Sequence, residues 1–211
     1  MLFRTTSAAL VAASLLVTGC ATSEIENVRG TPTVYQDPST AGRVGGVGIQ
    51  SQDIIAVTDQ MMRDLMATPA IVGRSTPPRI LISDQYIQNQ STSVINVRMF
   101  SDRLRTELNR AAQGRVVFVA RDYAAAIQQE RDLKRDGVVD GGTIRATQAT
   151  AGVDYQMFGT ITSADAIDRS TGMQERYTMI NFELVDMELG TIVWADLYEM
   201  SKASQDNVLY R

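Results

Sequence analysis

The sequence predicts an α/β fold: a single domain whose mixed β-sheet is packed by helices, preceded by a flexible tether. Three observations carry that prediction. Stretches with apolar residues at helical spacing alternate with short apolar runs bounded by turn residues. Near the C-terminus, two runs with strand-period alternation flank the turn Asp186–Gly190. Residues 21–48 are polar, poor in large apolar side chains, and end in a glycine-rich stretch. Three helices interleaved with strands and followed by a hairpin put helices against a sheet of mixed direction.

At the N-terminus, Arg4 precedes the apolar run Ala8–Leu16, and Val17-Thr18-Gly19 leads to Cys20, the only cysteine. This order of charge, apolar stretch and small residues is that of an export signal. The cysteine makes it resemble a lipoprotein signal, which implies cleavage before Cys20 and acylation of its sulfur and new amine. The apolar run is too short to span a membrane, so the lipid is the expected anchor. Ala21, rather than Asp, follows the cysteine. By resemblance to lipoprotein sorting in double-membrane bacteria, that implies the periplasmic face of the outer membrane. The expected boundaries are 1–19 for the signal peptide, 20–48 for the lipidated tether and 49–211 for the globular domain.

The tether cannot bury enough surface to offset its ordering entropy. Its roughly 28 residues span about 30 Å as a coil and at most about 95 Å extended. Its glycines, Gly42 to Gly48, lack the following Gly-Lys-Ser/Thr and the preceding strand of a phosphate loop. They read as linker.

The domain opens with a helix. Ser51 and Asp53 are cap candidates, Ile54, Val57, Met61 and Leu65 form a stripe widened by Met62 and Met66, and Pro69 ends it. After Thr76-Pro77-Pro78 comes a strand over Arg79–Ser83. A second helix covers Asn96 to Ala112, with Val97, Phe100, Leu104, Leu108 and Ala111 buried and Gly114 as its stop. Its Arg98, Arg103, Arg105 and Arg110 share the other faces with Asp102 and Glu107, which reads as a solvated surface. Val116–Val119 reads as a short buried strand. Asp122 is the expected cap of a third helix that contains Gln129–Arg135 and stops near Gly137, and a short helical piece is expected over 143–150. Tyr155–Ser163, Arg176–Val185 and Thr191–Met200 are strands. Thr178, Ile180, Phe182 and Leu184 mark the inward face of the second, and Trp194 and Tyr198 share one face of the third.

Composition removes several chemistries. The chain has no histidine, hence no Ser-His or Cys-His nucleophilic site, and it lacks the commonest zinc ligand. With one cysteine no intramolecular disulfide forms. A net charge of −4 without a basic tract makes nucleic acid a poor partner. No catalytic, cofactor-binding or metal-binding residue and no small-molecule substrate are expected. Asp154, Asp165 and Asp168 are the carboxylates a glycan-cleaving enzyme could use. Asp165 and Asp168, however, sit beside Arg169-Ser170-Thr171-Gly172 in a predicted turn, where aspartate bonds to nearby backbone.

Several segments carry a resemblance. Gly48–Ile54, Asp102–Arg110, Gln129–Arg135, Gly159–Ser163, Gly190–Trp194 and the ending Val208-Leu209-Tyr210-Arg211 are similar, in that order, to segments of the LpoB family. These are outer-membrane lipoproteins that activate class A penicillin-binding proteins. The turn Gly190-Thr191-Ile192-Val193-Trp194 is shared more widely with domains similar to the TolB amino-terminal domain. The resemblance implies a mixed α/β domain with no enzymatic role, docking on a regulatory domain of the synthase. The short tether, with two prolines, departs from the long proline-rich segment of the best-known members. The leading expectation is therefore a tethered activator. The alternatives are a lipoprotein component of an envelope export or secretion assembly, which lacks spare barrel-forming segments here, and a wall-cleaving enzyme.

Overall fold

The computed structural model describes residues 33–42, 45–147 and 149–205. The signal peptide assigned to 1–19, Cys20, much of the tether and the ending Val208–Arg211 lie outside the described residues. Every described helix and strand belongs to the compact unit Gln36–Arg211.

Helix α1 (Ser51–Ala67) begins with a capping box: the Gln50 backbone N–H donates to Asp53 Oδ2 at 2.7 Å, and the Gln50 side chain accepts from the Asp53 amide. Asp53 caps as expected, but Ser51 is the first helical residue, not the cap. Val57, Met61 and Leu65 are buried, and Ile54, Met62 and Met66 pack half-buried beside them. Pro69 ends α1 by opening a separate turn of helix, α2 (Pro69–Val72), at a position where its missing N–H is harmless.

Strand β1 (Arg79–Leu81) is followed by a helical turn at Asp84–Tyr86 and by β2 (Ile87–Asn89), a strand the sequence pattern does not announce. Helix α3 (Val97–Ala112) starts where Asn96 Oδ1 accepts the Arg98 amide at 3.1 Å. It ends in two successive left-handed residues, Gln113 and Gly114. Phe100, Leu104 and Leu108 are fully buried, and Ala112, not Ala111, completes the stripe. Strand β3 (Val117–Phe118) is an edge strand among the described residues, with Val117 exposed, so the buried strand expected there is corrected.

Helix α4 (Ala124–Arg135) has no fully buried residue. Asp122 does not cap it. Its carboxylate pairs with Arg105 at 3.0 Å, and Tyr123 takes the cap position. The described residues of 143–150 are loop rather than helix. So short a segment has no apolar face to bury and cannot repay the cost of nucleation.

Three strands of 14 residues finish the fold: β4 (Tyr155–Asp168), β5 (Met173–Asp186) and β6 (Ile192–Gln205). The six-stranded sheet runs β3-β1-β4-β5-β6, with β2 beside β4. β1 runs parallel to β3 and β4, β2 parallel to β4, and the last three strands form an antiparallel meander. The mixed α/β class is as predicted.

Helices α1 and α3 pack against each other and against one face of the sheet. Between them lie Ile80, Tyr155, Met157, Ile161, Ile180, Phe182, Leu184 and Trp194. The inward face predicted for β5 is the observed one. Gly159 lies beneath the Phe182 ring, where a Cβ would come within 2.7 Å of it. At the N-terminal border of the domain, Val47 is buried, and Lys202 Nζ donates to the Gly48 carbonyl at 3.0 Å and to Asp53. One lysine thus ties the start of α1 to the end of the sheet.

Candidate docking surfaces

The three carboxylates considered for catalysis are held apart by β4. Asp154 precedes the strand and accepts the Arg79 amide at 2.7 Å. Eleven residues of extended chain put Asp165 about 36 Å away. Asp165 lies inside the strand, not in the turn as expected, and a bidentate pair with Arg176 at 2.6 and 3.0 Å occupies both its oxygens. The Arg176 hydrogen bond holds the Asp165 carboxyl below the usual carboxylate range. Asp168 does sit at the turn. The Ser170 hydroxyl and amide, at 2.6 and 2.8 Å, and the Thr171 hydroxyl bind it, lowering it to about 2, with the Ser170 hydroxyl as largest cause. These are acceptors committed to local structure. Among the described residues no cluster of three or more His, Cys, Asp or Glu could hold a metal ion.

The arginine-rich face of α3 is only partly a solvated surface. Arg98 with Asp102 and Arg110 with Glu107 pair along the helix. Arg103, in contrast, donates to Thr58 Oγ1 at 2.8 Å and meets Asp59 at 3.4 Å, joining α3 to α1. Arg105 bridges Asp102 at 2.7 Å and Asp122 at 3.0 Å. Arg103 and Arg105 hold elements together, while Arg98 and Arg110 remain largely exposed; two further surfaces are open to a partner.

One is a groove of about 680 Å³ lined by β3, by Arg79 of β1, by α4 and by residues within 143–147 and 149–152. Arg79, Arg121, Arg131, Lys134, Arg135 and Arg145 line it, and among the described residues no Asp or Glu does. Exposed Val117, Ile127 and Ile144 supply its apolar lining. Sequence reasoning missed this site because the cations come from separated segments. The i, i+3, i+4 spacing of Arg131, Lys134 and Arg135 was the available signal.

The second is the sheet face opposite α1 and α3. Phe158, Thr160, Thr162, Met179 and Asn181 are half-buried there, while Tyr177 and Leu197 are exposed. Tyr86 packs edge-on against Phe158, with ring centroids 5.4 Å apart. The Tyr177 hydroxyl donates to Glu199, which pushes its ionisation up. This face mixes threonines, aromatic rings and methionine, and among the described residues no α-helix covers them.

The fold is thus a mixed α/β domain with a helix-covered core, one open sheet face and one basic groove. A family model described as "Peptidoglycan-synthase activator LpoB" matches residues 53–200, and the chain belongs to that family. The match runs from the first turn of α1 to within β6, so it covers the core-forming elements. Members of the family act as activators of peptidoglycan synthases. Among solved structures, the LpoB C-terminal domain from Salmonella enterica is 15% identical, with a TM-score of 0.36 over 69% of this chain and 96% of its own. The LpoB C-terminal domain from Escherichia coli is 14% identical, with a TM-score of 0.35 over 67% of this chain and 98% of that one. Lipoprotein GNA1162 from Neisseria meningitidis is 17% identical, with a TM-score of 0.33 over 63% and 88%. At these identities and TM-scores the three add no weight, and membership rests on the sequence match. No curated protein matches the sequence.

Proposed function

We propose that this chain is an outer-membrane lipoprotein that docks on the regulatory domain of a class A penicillin-binding protein and stimulates its glycan polymerisation and peptide cross-linking. The observation that carries the reading is the family match over residues 53–200. Activation requires the domain to bind the active conformation of the synthase better than the inactive one. The domain contributes binding free energy and no reaction step of its own. Acyl chains on Cys20 hold it at the membrane, since two or more chains give lasting attachment where one gives only marginal binding. Residues 20–48 set how far it reaches and its local concentration at the synthase.

The test is lipid II consumption by the cognate synthase with and without the full chain in detergent. The rate rises with the chain present, and a complex forms at micromolar concentrations. An unchanged rate and no complex overturn the reading and favour the export-assembly alternative. Anchoring is tested separately: Cys20→Ala loses incorporation of labelled fatty acid, and label persisting on that variant sinks the lipoprotein assignment.

A further inference from the structure

We infer that the groove between β3 and α4 receives an extended acidic segment of the synthase, laid along the free edge of β3 as an added strand; this rests on the activator reading above. The backbone supplies the first half of the case. Val117 and Val119 donate their amides to Pro78 and Ile80 at 2.9 Å each, so they face β1. Successive residues of a strand point their backbone groups to opposite sides. The N–H and C=O of Phe118 therefore face away from β1, and Phe118 is one of the residues lining the groove. A strand edge left with such groups is a template for a further strand.

Charge supplies the second half. The whole chain is net negative, with 24 acidic and 20 basic residues. Six of those cations converge on this one groove, and among the described residues none of its lining is acidic. Glu130 pairs with one of them, Lys134, at 3.4 Å. Lys134 also donates to Thr143 at 3.0 Å and Arg121 to Thr150 at 3.4 Å, contacts that hold both cations against the loop wall.

The same charges exclude a second copy as occupant, because two such edges brought together would juxtapose like charges. An acidic segment meets the opposite condition. In extended form its side chains alternate, so carboxylates can meet the cationic walls while the intervening apolar residues reach Val117, Ile127 and Ile144. β3 is two residues long. The backbone therefore sets register, and the cations supply most of the attraction.

The experiment uses the full-length chain in detergent and its cognate class A penicillin-binding protein. Arg121→Glu/Arg135→Glu/Arg145→Glu together weaken binding at least about tenfold, while lysine at the same three positions retains it. Hydrogen exchange on the wild-type complex slows at the Phe118 amide. If the triple glutamate variant binds within about twofold of wild type, or the Phe118 amide exchanges at an unchanged rate, the inference is overturned. Wild-type chain that does not bind the synthase at all overturns the activator reading itself, a separable result. Phosphatidylglycerol vesicles form the last arm. Should the triple variant lose vesicle binding yet keep the synthase, the groove faces anionic lipid and the inference fails.

Discussion

Helices α3 and α4 are built from similar materials, each amphipathic and rich in arginine, and they do opposite things. α3 sinks Phe100, Leu104 and Leu108 beneath α1 and the sheet, and its Arg103 and Arg105 are spent on joining neighbouring elements. α4 buries no side chain fully and turns Arg131, Lys134 and Arg135 toward an open groove. The difference is one of place in the strand order. α3 lies over the body of the sheet, whereas α4 follows the edge strand β3 and has only a groove wall to form. A helix that adds little to the core is free to carry a binding surface.

The sharpest way to break that comparison is to truncate an apolar residue on each helix. Phe100→Ala should cost about 3–5 kcal/mol, while Ile127→Ala should stay within about 0.5 kcal/mol of wild type. Denaturant unfolding measures both, and equal losses would mean that α4 is as structural as α3. Gly159→Ala sharpens the same contrast from the sheet side. Its Cβ would fall 2.7 Å from the Phe182 ring and 3.3 Å from Ile87, and overpacking of this kind costs about 1–3 kcal/mol. A neutral result would show that the sheet beneath α3 can yield.

Where α1 meets β6, the effect should reverse in sign. Burial, and then the neighbouring Asp64 carboxyl, push the Asp196 carboxyl up, and among the described residues Asp196 Oδ2 has no hydrogen-bond partner. A carboxyl with a raised folded-state pKa is stabilising while protonated and costs stability once ionised. Stability at this site therefore grows as pH falls through the raised value. Asp196→Asn should stabilise the domain at pH 7 by less than about 1 kcal/mol. Thermal melts at pH 7 and pH 4 check this, since the gain must shrink at the lower pH.

The smallest effect is at the β4–β5 turn, far from both helices' shared core. Asp168 is lowered to about 2 from 3.8, so its contribution is present above about pH 3.8 and is lost as pH falls toward 2. An NMR titration of its carboxyl should show a midpoint near 2. A midpoint near the ordinary value would remove the Ser170 and Thr171 hydrogen bonds from the account.

Much of the core was legible without a structure. The alternation at Thr178, Ile180, Phe182 and Leu184 and the stripes of α1 and α3 report burial directly, because side chains repeat on one face every two residues in a strand and about every 3.6 in a helix. Those periods are local properties of the backbone, so the chain itself determined them, together with the mixed α/β class and the turn at Asp186–Gly190. The family resemblance was legible for the same reason, being carried by short contiguous segments. Strand order is not local. Whether Val116–Val119 is buried or at an edge depends on which strand lies beside it, and nothing within the segment records that. Tertiary structure likewise decided that Asp122 pairs with Arg105 instead of capping α4, and that Asp165 belongs to a strand and pairs with Arg176. It also extended β4, β5 and β6 into polar sequence, where cross-strand pairing sustains strands that alternation no longer marks. The groove is the clearest instance. Its six cations come from β1, the turn before α4, α4 itself and the loop beyond it. Only the fold, by ending the sheet at β3, brings them to one place.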